Sequence, residues 1–173
     1  LQDRNIPLLL KTTLFAILIP GTVAGYIPYR IVSHNCPSEG ILFSISMLLP
    51  MLLFSAGLLV ALRCAMDFVF HGQGTPAPID SPKELVVQGL YRYTRNPMYL
   101  GILMVLFSEA WAFWCGAQLL YAIVLWICFH LFVVFYEEPD LLRRFGDPYR
   151  QYRASVPRWW VRWRPYSPPG ETN

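Results

Sequence analysis

Two adjacent acids, Glu137 and Glu138, close a long apolar stretch, and the run Arg95-Asn96-Pro97-Met98-Tyr99 opens another. Residues of these types can bind a ligand together if folding brings the two ends to one place. A carboxylate accepts hydrogen bonds from sugar hydroxyls or from an ammonium group, so a paired acid suits a nucleoside that carries a cationic centre. The same acids can instead spend their charge on Arg92, Arg95, Arg143 or Arg144. Spacing leaves both readings open. Pro97 suits the first turn of a helix and Asn96 its N-cap, which by itself describes only a capped helix start.

Other polar residues carry less. Glu109 falls about 20 Å along the helix from Asn96 at roughly 1.5 Å per residue, too far to join the same cluster, and reads as a structural partner or a protonated acid. His130 lies about two turns before Glu137 and reads as a packed neutral histidine. Arg63 and Asp67, four apart, read as a helix-end ion pair. Gly21 and Gly25 make a GxxxG that favours close helix contact but arises often by chance. A lone GxG within His71-Gly72-Gln73-Gly74-Thr75-Pro76-Ala77-Pro78 is weak evidence for phosphate binding, since no strand precedes it. Cys36, Cys64, Cys115 and Cys128 show no CxxC spacing and read as apolar fillers, with a disulfide framework or a zinc site as the lesser alternative. No metal site is expected.

The elements that must hold these residues follow from composition. Of 173 residues, 55% are hydrophobic and 14% charged, too few charges to cover so much apolar area in water. Apolar stretches at 12–29, 41–62, 99–115 and 117–136 approach the roughly 20 residues that cross the hydrocarbon layer. The expected fold is therefore all-α: a polytopic integral membrane protein with about four transmembrane helices. The last two stretches meet at Gly116 and must form a tight antiparallel hairpin, which puts Asn96 and Glu137 at the same end. Pro20 and Pro50 fall inside the first two spans and mark kinks. The chain is expected to be one membrane domain, 1–173, with an N-terminal hairpin at 12–62 and a core at 72–160.

Charge gives the orientation. Arg4, Lys11, Arg63, Lys83, Arg92 and Arg95, and the arginines from Arg143 to Arg164, all fall on one side of such a bundle; Arg30 alone falls on the other. Both termini and the 63–98 segment are expected to face the cytoplasm; which membrane hosts the chain is open. In the tail, Leu141, Leu142, Phe145, Tyr149 and Tyr152 recur at helical spacing between arginines. The run Pro157-Arg158-Trp159-Trp160-Val161-Arg162-Trp163-Arg164 suits the headgroup layer. It reads as a membrane-surface anchor or as a contact to a bound lipid substrate. A net charge of +3 without a basic footprint makes nucleic acid a poor partner.

Between the spans, Leu85-Val86-Val87 followed by Gln88-Gly89-Leu90-Tyr91 reads as a short extended stretch ending in a turn. In order along the chain, GQGTPAP (72–78), LVVQGLYRYTRNPMYLG (85–101) and EEPDLLRRFGDPYRQYRASVPRW (137–159) resemble the isoprenylcysteine carboxyl methyltransferase family and its relatives among membrane phospholipid methyltransferases. The family signature before the third span is typically Arg-His-Pro-x-Tyr. Here asparagine replaces the histidine, which loses any ring-specific contact and keeps a hydrogen-bonding group.

The resemblance implies S-adenosyl-L-methionine at the cytoplasmic ends of the last two spans, enclosed by the flanking loop and tail. By position it implies cofactor contacts from Lys83, Glu84, Leu85, Val86, Tyr91, Asn96, Pro97, Met98, Tyr99, Glu137 and Glu138. No catalytic residue is assigned. The implied activity is methyl transfer to a lipid-like or lipidated acceptor. Carboxyl O-methylation is favoured because a carboxylate is ionised at neutral pH and needs no base, and no convincing base stands out. Amine methylation of a phospholipid head competes with it. Two other classes stay open: a membrane reductase using NADPH, with Arg92 and Arg95 on the 2′-phosphate, and a non-catalytic protein whose tail binds anionic lipid.

Overall fold

The computed structural model describes residues 18–36, 47–70 and 85–167, and every regular element among them is helical. A π turn, Thr22–Tyr26, runs into helix α1, Ile27–Asn35. Helix α2 is Leu48–Phe70, and a 3₁₀ turn, Gly89–Arg92, precedes α3, Pro97–Ala112. Helix α4, Gly116–Phe132, continues through a second π turn, Val133–Glu137, into α5, Glu138–Phe145. After Gly146 comes α6, Asp147–Ser155.

Two stretches are long and apolar enough to cross a bilayer, Leu48–Asp67 and Gly116–Phe145, with mean hydropathies of 2.0 and 2.4. Only 17% and 11% of these windows are buried by the protein. Apolar surface turned outward on that scale calls for lipid rather than water. Helix α3 is shorter, and its Gly101, Ile102, Leu103, Val105, Leu106, Ser108 and Ala110 are buried. It is the central rod, with α2 packed along one side and α4 along the other. The first expected span is described only from residue 18 and the second only from residue 47.

The α2–α3 crossing depends on two glycines that no motif marks. A Cβ on Gly57 would come within 2.6 Å of the Gly101 carbonyl oxygen, and one on Gly101 within 2.7 Å of the Gly57 carbonyl oxygen. Both obstacles are backbone, so neither can turn aside. Among the described residues nothing lies within 4 Å of a Cβ built on Gly25, and the tight contact seen lies at Gly57 and Gly101. Gly101→Ala should push the helices apart at a cost of about 1–3 kcal/mol, read as a lower thermal midpoint in detergent. Gly25→Ala should leave the midpoint in place, and equal midpoints for the two variants would mean that the crossing yields freely.

The α3–α4 hairpin turns at Phe113, Trp114 and Cys115, with Trp114 at φ 47°. The Phe113 N–H donates to the Glu109 carbonyl (3.1 Å) and the Cys115 N–H to the Ala110 carbonyl (3.0 Å). Across the turn, Gln118 Nε2 donates to Glu109 Oε2 at 3.0 Å, a structural role for that acid. The Tyr121 hydroxyl donates to the Val23 carbonyl at 2.8 Å, tying the first helical segment to α4. At this same end Cys36 and Cys115 form a disulfide, with Cα atoms 5.6 Å apart. The apolar-filler reading is corrected for these two: 79 residues separate them in sequence, and only folding shows that they meet. Cys64 is a free, buried thiol, and Cys128 is free and exposed.

Candidate functional site

At the opposite end of the hairpin from Cys115, the start of α3 meets the end of α4. The approach to α3 is built by alternation. Val86 is buried with Cys64 and Tyr91 beside Val60, Leu90 and Met98. Its neighbours Leu85 and Val87 turn the other way, onto Tyr149, Tyr152, Val156 and Tyr166. Side chains that point alternately to opposite faces are what an extended backbone produces. Gly89 then turns the chain at φ +55°, where a Cβ would collide with the Asp67 side chain. Asp67 itself is held by Arg63 at 3.3 Å, the ion pair their spacing suggests. Tyr91 is buried, which pushes its hydroxyl well above the ordinary tyrosine range, so it stays neutral.

Asn96 occupies the N-cap position of α3, yet its side chain makes no capping bond. Nδ2 donates instead to the Arg158 carbonyl at 3.1 Å, and the Thr94 hydroxyl donates to the same oxygen at 3.3 Å. The asparagine amide thereby fastens the tail to the helix start. Pro97 fills the first turn, where its missing N–H costs nothing. Met98 packs between the Val86–Tyr91 cluster and the α3–α4 core.

The two acids separate in role. The Tyr99 hydroxyl donates to Glu137 Oε2 at 3.0 Å, and the Tyr99 ring lies 4.7 Å from that of Phe129 and 6.5 Å from that of Trp159. Glu138 turns to the arginines. It accepts from Arg95 Nη1 (2.8 Å), Arg158 Nε (2.6 Å) and Arg158 Nη2 (2.9 Å), with Arg153 at 3.6 Å. The hydrogen-bonded Glu138 carboxylate in turn raises the Arg158 guanidinium above its ordinary range. Successive helical residues point about 100° apart. The π turn that ends at Glu137 adds a further shift of phase just before Glu138, a device common at functional sites.

The tail closes over this junction as a strap. The Arg95 N–H donates to the Pro157 carbonyl, Arg162 N–H to Tyr93 and Tyr166 N–H to Arg92, all within 2.9–3.0 Å. Arg92 Nε returns a bond to the Tyr166 carbonyl at 2.6 Å. Underneath, the Tyr152 hydroxyl donates to the Tyr91 carbonyl at 2.7 Å, and Trp159 Nε1 donates to His130 Nδ1 at 3.0 Å.

Of the residues singled out in the sequence, the structure places Tyr99 with Glu137, and Asn96 and Glu138 with Arg158. Leu85, Val86, Tyr91, Pro97 and Met98 line the approach. Lys83, Glu84 and the 72–78 run lie outside the described residues. Sequence reasoning did not place Phe129, His130, Arg158 and Trp159 at this junction. The signal for the last two was present, since Arg158 and Trp159 open the tryptophan–arginine run, but it pointed to the membrane surface.

Comparison with known proteins places residues 45–148 in a match to the model of the phospholipid methyltransferase family. A protein-S-isoprenylcysteine O-methyltransferase of Schizosaccharomyces pombe is 38% identical over 82 residues, covering 42% of this chain and 31% of that relative. A methanethiol S-methyltransferase of Bradyrhizobium diazoefficiens is 40% identical over 73 residues, covering 39% of this chain and 22% of its own. A Haemophilus influenzae protein described only as uncharacterized is 38% identical over 64 residues, which is 36% of this chain and 98% of that one. The matched stretches thus take in less than a third of the length of the two named enzymes. No solved structure matches the chain significantly.

Proposed function

The chain belongs to the phospholipid methyltransferase family, and on that premise we propose that it is a membrane methyltransferase that takes its methyl group from S-adenosylmethionine and gives it to a lipid-like or lipidated acceptor. The carrying observation is the Tyr99–Glu137 pair where α3 begins and α4 ends, beneath a strap fastened to the start of α3.

The donor set fits a zwitterionic nucleoside. Glu137 spends Oε2 on Tyr99, and no bond to its second oxygen is seen among the described residues. Arg95 Nε is buried and finds no acceptor among the described residues. A carboxylate with capacity to spare suits ribose hydroxyls or a cationic centre, and an orphaned guanidinium N–H suits a ligand carboxylate. Phe129, Tyr99 and Trp159 supply ring faces. Glu138 is committed to its arginines and fits a supporting role better than direct contact.

When bound, the cofactor supplies a methyl on a positively charged sulfur. Glu137, Tyr99 and Arg95 would hold the cofactor, and the chemistry it would supply there is methyl transfer to an acceptor lone pair. A carboxylate acceptor releases no proton, so the site needs no base. The protein's part is to hold both partners in line and keep water out, an orientation effect worth up to ~7–11 kcal/mol. What the two named relatives share is methyl transfer; their named acceptors differ, and the acceptor here is assigned only by class.

The same reading places about four spans in the bilayer, with the arginine-bearing junction on the cytoplasmic side and Cys36–Cys115 on the other. S-adenosylhomocysteine should raise the thermal midpoint of the purified protein, and NADPH should not. The acceptor should then be found by mass spectrometry of membranes incubated with methyl-deuterated cofactor. Stabilisation by NADPH alone would favour the reductase alternative.

A further inference from the structure

The strap has two sides, and only the inner one is explained by the helix junction. Arg158 and Trp159 turn inward to Glu138 and His130. Trp160, Val161 and Trp163 turn outward, 82%, 65% and 100% exposed, on a backbone pinned to Tyr93 and Arg92. Rings so fully bare on a fixed segment need a partner that accepts an indole. Arg162 and Arg164 stand among them, and neither has an acidic partner among the described residues.

The strap's depth indicates that partner. Trp159 reaches His130, seven residues before Glu137 and so about 10 Å along the helix into the apolar segment. Ring neighbours continue from His130 to Trp126 at 6.3 Å. On the same helical run Ile127, Leu131 and Phe135 are exposed apolar side chains. Trp160 follows directly on a residue seated against this apolar segment, an exposed indole beside a membrane-crossing helix suits the headgroup layer, and the neighbouring arginines match phosphate.

We propose that residues 157–166 form a lipid-keyed strap, in which Trp160 and Trp163 seat in the headgroup layer and Arg162 and Arg164 engage anionic lipid. Seating the outer side holds Arg158 and Trp159 on the inner side, so the charge of the membrane tunes cofactor affinity. The coupling to affinity rests on the cofactor reading above, whereas the seating itself does not.

Two readouts separate these. In nanodiscs rich in phosphatidylglycerol, the parent should bind S-adenosylhomocysteine roughly tenfold more tightly than in phosphatidylcholine alone. The double variant Arg162→Gln/Arg164→Gln should erase that difference. In parallel, lipids brominated near the carbonyl should quench tryptophan fluorescence less in Trp160→Ser/Trp163→Ser than in the parent. Equal affinities of the parent in both lipids, or a lipid response that survives in the arginine variant, overturns the tuning. Quenching unchanged by the serine variant overturns the seating. If inorganic phosphate reproduces the gain in neutral discs, the surface is a simple anion site and the lipid assignment is wrong. Absence of cofactor binding in either disc, with quenching as expected, would remove the methyltransferase reading and the tuning and leave the seating in place.

Discussion

Glu138→Ala should cost the folded protein about 3–5 kcal/mol, the range seen when one partner of a buried ion cluster is removed. Glu138 is 5% exposed, Arg95 10% and Arg158 25%, so the charges that face each other once the acid is gone are poorly screened. Arg153, at 48% exposed, can turn to solvent and adds little. The loss should spread beyond the cluster, because Arg158 also carries the carbonyl that Asn96 and Thr94 bind. Glu138→Gln keeps an acceptor without the charge and should fall between the parent and the alanine variant. Thermal unfolding in detergent, without ligand, reads this directly. A midpoint for Glu138→Ala equal to the parent's would show that the cluster is not what fastens the tail.

Glu137→Ala should give the opposite pattern. Its partner, Tyr99, keeps its ring contacts with Phe129 and Trp159 without the carboxylate, so the unliganded midpoint should barely move. Affinity for S-adenosylhomocysteine should fall about 10–100-fold, the equivalent of one hydrogen bond to a charged group. Tyr99→Phe leaves the acid in place and removes only the hydroxyl that orients it, so a loss of a few fold is expected from a positioning role. Calorimetric titration of the three proteins orders these effects. Cofactor binding by Glu137→Ala at the parent's affinity would falsify the placement of the cofactor at this mouth.

The contrast between neighbouring acids shows where sequence reading stops. That Asn96 and Glu137 share an end followed from the absence of any real loop between the last two apolar stretches. The alternation of Leu85, Val86 and Val87, and the pairing of Arg63 with Asp67, were likewise local enough to read. Which of Glu137 and Glu138 meets the arginines depends on helical phase, and a π turn shifts that phase without leaving a mark in residue types. Gly57 and Gly101 were invisible for a related reason: each is a single glycine in its own helix, and the meaning lies in their meeting. The strap's inner contacts are mostly main-chain bonds to Tyr93, Arg92 and Arg95, which almost any sequence could supply. Its tryptophans and arginines stood out because their chemistry is unusual, but which of them turn outward was not readable from residue types.

Cys36 and Cys115 rivet the end of α1 to the turn between α3 and α4. A sample handled in mercaptan buffer is therefore a different molecule from one kept oxidised: in the first, α1 is hinged to the rest only by the chain and by contacts such as Tyr121 with Val23. In the second it cannot swing away from the hairpin at all.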